Sequence, residues 1–334
     1  MVRKVLVVGG GITGVSIVEN LRRSGAEVTL VDRIDPGDPK QTSFGNAGML
    51  ARAAIIPVAM PGLLRKIPKM LIDPQSPLFV KWGYIPKLLP WLIPFLKSGS
   101  VEKLKYIVGA LDSLTHDSVE QHLNLSRGTG AEKFIQKGRF GFLYPDEKAF
   151  ADDKFGREIK SSYGYHYKKL TRIDIEKLDA NISNRYNCAA VFENHGWITD
   201  PSKYLKALFK HYSSLGGKFI KSEVIDINNQ SITLKNGKMV TADKVVIATG
   251  AWSNFLAKKL KVKSMVESER GYHLFFKGSN MIPPFPLMIS DGKFIATPMD
   301  GGLRCAGVVE FGGLKAPPSE APLKLIRRKI KEVY

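Results

Sequence analysis

The sequence predicts a mixed α/β fold of two interleaved domains, one built on a parallel sheet and one on an antiparallel sheet. Three observations predict it: an apolar strand, glycine turn, helix and second strand at the N-terminus; a return of that rhythm near residue 200; and a closing series of strand-like runs parted by Asp-Gly turns. The opening run Val5-Leu6-Val7-Val8 is uninterruptedly apolar, as a strand buried on both faces requires. It leads directly into Gly9-Gly10-Gly11-Ile12-Thr13-Gly14, a GxGxxG element. In that pattern Gly9 permits a tight turn, Gly11 lets the backbone approach a pyrophosphate, and Gly14 lets the helix sit close to the strand. Ile12, Val15, Val18 and Leu21 recur at helical spacing, and Gly25 closes the helix. Residues 27–31 form a second strand ending in Asp32, eighteen residues beyond Gly14, where an acid can hold a ribose hydroxyl. A dinucleotide is expected at this end.

Residues 34–48 are rich in Gly, Pro, Asn and Ser and read as a loop. Between Ile55 and Leu96 stand Pro57, Pro61, Pro68, Pro74, Pro77, Pro86, Pro90 and Pro94, so only short helices separated by turns are expected. The longest apolar run there, residues 88–96, is too short to cross a bilayer and contains two prolines. Residues 101–124 read as one long amphipathic helix through Leu104, Ile107, Val108, Leu111 and Leu114. Residues 139–144 then suggest a strand, 146–162 a helix, and 197–200 the approach to a helix opened at Pro201. Strands follow at 218–220, 224–227, 231–234 and 245–248, with Asn236-Gly237 as a hairpin turn and Thr249-Gly250 ending the last. The runs 272–276, 294–297 and 302–309, parted by Asp291-Gly292 and Asp300-Gly301, complete an antiparallel sheet.

With 334 residues the chain can bury more than one core. Its two cysteines, Cys188 and Cys305, fit no CxxC or metal-ligand pattern; they read as inert core thiols of a reducing compartment, and no metal is expected. The first strand begins almost at Met1, so no leader is expected. The formal charge of +19 is spread mainly as single lysines, and no zinc finger, basic arm or aromatic RNA motif accompanies it, so nucleic acid is not an expected partner. Residues 51–105 are different: nine Lys or Arg face only Asp73 and Glu102 amid heavy apolar content, a composition that suits anionic lipid.

Together, Gly9 to Gly14, Asp32-Arg33, Thr42-Ser43-Phe44-Gly45-Asn46-Ala47-Gly48, residues 245–252, Arg270-Gly271-Tyr272-His273 and residues 296–313 resemble the FAD-dependent glycine/D-amino-acid oxidase family, on the side of the bacterial D-amino-acid dehydrogenases. The resemblance spans nearly the whole chain. It implies a two-domain flavoprotein in which a Rossmann-type FAD-binding domain (residues 1–54 and 196–262) is interrupted by an antiparallel-sheet substrate domain (55–195, with a helical cap, and 263–334). It further implies that Gly9, Gly10, Gly11, Ile12, Thr13 and Gly14 cradle the FAD pyrophosphate, that Asp32 binds the adenosine ribose, and that Arg33 borders the adenine. Ser43, Asn46, Ala47, Gly48 and Met49 would present backbone amides near the pyrophosphate and flavin ring. Val224 would offer its backbone to adenine, and Ala248, Thr249 and Gly250 would close over the nucleotide.

The family reaction is hydride transfer from a substrate α-carbon to flavin, giving an imino acid that hydrolyses to a keto acid and ammonia. An arginine fork commonly grips the substrate carboxylate with a tyrosine beside it, which makes Tyr272, His273 and Arg304 the catalytic candidates and Arg52 a further one. The expected partners are a D-amino acid or related amine and a quinone or other respiratory acceptor. The expected place is the cytoplasm, with peripheral contact on the inner face of the plasma membrane. An oxygen-using oxidase of glycine or sarcosine and a non-catalytic flavin-binding or membrane-docking subunit are the alternatives. Because members of the family generally continue beyond the position of Tyr334, the chain is expected to be a C-terminally shortened form.

Overall fold

The computed structural model describes residues 3–63 and 76–334, which separate into two compact units. Pro68, Pro74, Arg65, Lys66, Lys69 and Asp73, which entered the expectations for the proline-rich and basic segments, lie outside the described residues. The first unit comprises Met1–Gly45, His122–Phe134 and Asp200–Ser268; the second comprises Asn46–Gln121, Ile135–Thr199 and Glu269–Tyr334. These bounds differ from the expected ones at each change of unit, by four residues near 195 and six near 262, and more widely in two places. The change of unit falls at Gly45 rather than at residue 54, and residues 122–134 join the first unit. Side chains explain the second difference: the Arg23 guanidinium donates to the carbonyls of Asn124, Leu125 and Arg127, and His122 Nδ1 lies 2.9 Å from the Tyr204 hydroxyl.

The first unit is built on a parallel sheet ordered Lys244–Ile247, Lys4–Val8, Glu27–Asp32, Lys218–Lys221. Its central strand is buried at all four apolar positions, which is why it shows no alternation in sequence. The helix Ile12–Arg23 connects the first two strands, and Pro201–Ser214, capped by the Asp200 side chain on the Lys203 N–H, precedes the fourth. A three-stranded antiparallel sheet, Val224–Ile227, Ser231–Leu234 and Met239–Thr241, shares a core with it through Leu6, Val8, Val31, Ile227, Ile232 and Leu256.

The second unit holds a nine-stranded sheet running Arg270–Lys277, Gly302–Phe311, Phe294–Met299, Leu287–Ile289, Ile135–Tyr144, Cys188–Ile198, Met49–Leu50, with Leu78–Val80 paired to Gly302–Phe311 and Tyr167–Leu170 to Cys188–Ile198. One face is covered by Ala321–Val333, whose Leu325, Ile326, Ile330 and Val333 pack with Leu143, Val191, Leu287 and Cys305. Cys188–Ile198 was not legible as a strand: lying inside the sheet, it is buried at nearly every position, and Asn194 has a φ of 59°.

Three helical expectations differ from the structure. Residues 101–124 form two helices, Val101–Thr115 and Ser118–Ser126, because the run Thr115-His116-Asp117-Ser118 competes locally for the backbone, with Thr115 Oγ1 donating to Leu111 O at 3.0 Å. Residues 146–162 likewise divide into Glu147–Asp152 and Lys154–Ser162 at Asp153, which the Tyr144 hydroxyl holds at 2.5 Å. In the opposite sense, Ile85–Ser98 is one helix of 14 residues despite Pro90 and Pro94. Pro86, Pro90 and Pro94 are spaced by four, so the carbonyls of Pro86 and Pro90 point at residues with no N–H to give, and all three prolines lie on the exposed face where water can solvate those carbonyls.

Candidate active site

In the first unit the glycine turn is shaped by contacts that no side chain could share. Gly9 has a φ of +112°, and a Cβ there would stand 2.3 Å from the Ala248 carbonyl oxygen. A Cβ on Gly14 would meet the Gly9 carbonyl oxygen at 1.7 Å, so only glycine lets the helix Ile12–Arg23 start this close to the strand. The strand ends are stitched by Gly9 N–H to Val31 O and Ala248 N–H to Val8 O, at 2.8 and 2.7 Å.

Gly11 is the helix N-cap and has no capping side chain of its own; the Ser43 hydroxyl instead accepts the Ile12 N–H at 2.9 Å. Asp32 accepts the Gly10 N–H on Oδ2 at 2.5 Å and the Ile34 N–H on Oδ1 at 3.0 Å, which fixes the carboxylate at the strand end. Each oxygen keeps a lone pair for a hydroxyl donor. Two contributors escaped the sequence reading. Gln41 donates to the Gly10 carbonyl at 3.0 Å, and the Trp252 ring stacks under the Arg33 guanidinium at 4.5 Å, giving a flat, partly exposed wall. Val224 turns its side chain into the core with Leu6 and Val31, so only its backbone is left for a ligand. Thr249 Oγ1 lies 3.2 Å from Ser253 Oγ, and Gly250 opens a short helical turn with a φ of +55°.

This half-site fits an adenine dinucleotide. It offers a helix N-terminus whose N-cap glycine has no side chain, behind a turn that a Cβ would fill, with a fixed acid one strand away.

In the second unit the Asn46-Ala47-Gly48 loop is held from several strands. Asn46 Oδ1 accepts the Gly48 N–H at 2.7 Å, and Gly48 O accepts the Ile198 N–H at 2.7 Å. Gly48 needs its φ of +69° there, because a Cβ would lie 2.5 Å from the Ile198 carbonyl oxygen. Thr297 and Arg304, register partners on adjacent strands, reach the same loop: Thr297 Oγ1 donates to Ala47 O at 2.9 Å and Arg304 Nη1 to Asn46 O at 3.2 Å. Met49 continues into a two-residue strand paired with Trp197.

The loop's continuation is pinned by a histidine that sequence reasoning missed. His195 Nδ1–H donates to Glu193 O at 2.8 Å while its Nε2 accepts the Ala53 N–H at 3.3 Å, an arrangement that requires the neutral ring. Burial pushes its pKa down to about 4, with Lys160 and Arg52 acting in the same direction. Nothing in the linear pattern around Asn194-His195-Gly196 signals this role, which depends on a turn N–H 142 residues away.

The four catalytic candidates separate. Tyr272 has its ring in the core, and its hydroxyl donates to Glu310 Oε2 at 2.6 Å and accepts the Ser319 N–H at 2.7 Å. Arg52 is held elsewhere, donating to the His116 carbonyl and lying 4.0 Å from Glu120. Arg304 and His273 share an electrostatic environment, since burial and the nearby Arg304 charge both hold the His273 pKa below the ordinary imidazole value. Arg304 also has the loop-holding contact that its candidacy did not foresee.

Comparison with known proteins agrees with this geometry. The family model for FAD-dependent oxidoreductases of the DAO type matches residues 4–334. The D-amino-acid oxidase of Bradyrhizobium diazoefficiens is 31% identical over 338 residues, covering 99% of this chain and 80% of that protein. A D-amino acid dehydrogenase of Helicobacter pylori strain J99 is 23% identical, covering 93% of this chain and 75% of that one. Among solved structures, glycine oxidase from Bacillus cereus superposes with a TM-score of 0.66 at 18% identity, over 99% of this chain and 78% of its own. The chain therefore belongs to the DAO family of FAD-dependent oxidoreductases.

Proposed function

We propose that this enzyme oxidatively deaminates a D-amino acid and passes the electrons to a quinone or another respiratory acceptor. The observation that carries this reading is the likeness, along 99% of the chain, to a protein named for D-amino-acid oxidation. FAD, when bound, supplies the acceptor for the hydride removed from the substrate α-carbon. Gly9 to Gly14, Asp32 and Ser43 are the residues of the first unit proposed to hold its nucleotide, with the Arg33 and Trp252 stack beside adenine. In the second unit, Asn46, Ala47, Gly48 and Met49 are proposed to lie along the flavin.

The substrate reacts as the free amine, so its ammonium must first lose a proton. His273, kept neutral by burial and by Arg304, is the proposed acceptor of that proton, and Arg304 supplies the fixed positive charge that suits a carboxylate. Loss of hydride from the α-carbon and of a proton from nitrogen leaves an imino acid, and addition of water gives a 2-oxo acid and ammonium.

The test is to purify the chain with FAD, record flavin absorbance, and follow anaerobic dye reduction with D- and L-amino acids. Bleaching of the flavin by D- but not L-amino acids is expected; a reconstituted flavoprotein that no D-amino acid bleaches refutes the substrate assignment. A His273→Gln variant should lose the acid limb of the kcat/KM profile, because a base that must be neutral to take the proton is switched off as pH falls through its pKa. A second reading, return of electrons to oxygen, draws on the same relative being named an oxidase. Stoichiometric peroxide in air would favour it, whereas turnover only with a quinone analogue favours the dehydrogenase.

A further inference from the structure

The helix Ile85–Ser98 is apolar all round but buried on one side only. Its inner face is settled: Leu88 is 3% exposed, and the Trp91 ring stacks on Phe95 at 4.7 Å and lies 5.4 Å from Phe311. The opposite arc, on which helical spacing gathers Pro86, Leu89, Pro90, Ile93 and Pro94 with Lys87 and Lys97 beside them, is exposed. Leu89 is 42% and Ile93 49% exposed, and Trp82, one turn ahead of the helix, is 64% exposed. An amphipathic helix normally turns polar side chains to water; here the water-facing arc has only the two lysines. No acidic residue occurs between Asp73 and Glu102.

We propose that this face docks on an anionic lipid surface, with Leu89, Ile93 and Trp82 entering the headgroup boundary and Lys87 and Lys97 pairing with lipid phosphates. The chemistry favours lipid over a second copy of the chain. Two copies back to back would bring four ammonium groups together with no carboxylate between them. The arc is also small: 14 residues give a strip about 20 Å long, on the order of 200 Å² against the roughly 800 Å² per partner that a stable dimer buries. A bilayer supplies the missing negative charge and asks for no shaped partner surface. The exposed indole suits the interface, where an aromatic ring can keep its N–H in water. Docking is shallow by construction. The carbonyls of Pro86 and Pro90, which have no intrahelical donor, lie on this same arc and need the hydrated headgroup layer. The 14-residue helix is in any case shorter than the hydrocarbon core.

The experiment is co-sedimentation of the intact FAD-loaded chain with phosphatidylcholine vesicles, with or without about one-third phosphatidylglycerol, at low salt. Flavin absorbance reports the folded state of every sample, so failure of docking is read separately from failure of the flavin assignment. Binding is expected only to the anionic vesicles, falling about tenfold in Lys87→Glu/Lys97→Glu and to a similar extent in Leu89→Ser/Ile93→Ser. Brominated lipid should quench part of the tryptophan emission, and Trp82→Phe should abolish that part. The proposal is overturned if anionic vesicles leave the protein in the supernatant at low salt, or if both double variants bind like the parent. It is equally overturned if sedimentation velocity without lipid shows a dimer that Leu89→Ser/Ile93→Ser dissolves.

Discussion

Single residues show where titration couples to stability. His195 must stay neutral to accept the Ala53 N–H, and its pKa is lowered from 6.5 to about 4 mainly by burial. A folded pKa below the unfolded one contributes stability that is fully present above about pH 6.5 and is lost as pH falls through about 4; the shift corresponds to about 3 kcal/mol. His195→Gln should therefore flatten the acid limb of a Tm-against-pH curve, and at neutral pH should weaken FAD retention through the loop that His195 anchors. Lys160 behaves differently. Its ammonium lies 4.0 Å from the Phe142 ring and 5.0 Å from that of Phe192, in a site so buried that the pKa falls to about 8. With the unfolded value near 10.5, native stability rises with pH between about 8 and 10.5, and below 8 the charge costs on the order of 3 kcal/mol, partly offset by the rings. Lys160→Met should raise Tm at pH 7, and the difference from the parent should shrink above pH 10. Equal Tm values at both pH values would show that the burial penalty is already relieved. Neither residue was legible in the sequence, because a buried histidine or lysine is recognised by what folds around it. The glycines were legible, since a φ of +112° or a 1.7 Å approach restricts the residue type locally.

At the level of elements, what could be read depended on how many faces of an element are covered. The strands at 4–8, 27–32, 224–227 and 231–234 follow from local runs and turn residues, and the structure has them within a residue or so. The expected single helices at 101–124 and 146–162 broke at polar residues, because apolar periodicity continued across the break even though the backbone did not. The Asn46 loop is the element proposed to lie along the flavin. Its sequence announced a glycine-bearing turn, but its rigidity comes from Thr297, Arg304 and Ile198, which lie 150 or more residues away. Thr297→Val keeps the shape and removes the donor to the Ala47 carbonyl, an acceptor then left buried at a cost of about 1–3 kcal/mol. A several-fold rise in the FAD dissociation constant, measured by fluorescence titration, is the expected outcome. Unchanged affinity with lowered Tm would place that hydrogen bond in the scaffold alone. Gly14→Ala tests the other half-site: the methyl group has no room beside the Gly9 carbonyl, so a loss of roughly 3 kcal/mol and of bound flavin is expected, visible as colourless protein on purification.

Across the whole molecule, charge and topology dominate. A formal charge of +19 from 50 basic and 31 acidic residues makes self-repulsion a standing cost of the folded state. Raising ionic strength from low salt toward about 0.15 M shortens the screening length to about 8 Å, so Tm should rise by a few degrees while affinity for anionic vesicles falls. Opposite responses to the same salt distinguish intramolecular repulsion from attraction to lipid. If salt leaves Tm unmoved, the lysines are far enough apart to ignore one another. Among the described residues no helix is long and apolar enough to cross a bilayer, and the docking proposed for Ile85–Ser98 is to a bilayer surface. The parallel sheet of the first unit also sets an order of events during synthesis. The strand Lys4–Val8 leaves the ribosome ahead of its register partner Lys244–Ile247, which is made some 240 residues later. At the usual rates of about 5–20 residues per second, one edge of this largely apolar strand waits on the order of 10–50 seconds for its neighbour. The nucleotide cradle is thus a late product of folding, and the nascent chain passes through a period in which its first strand is a candidate for chaperone capture or for pairing with another chain.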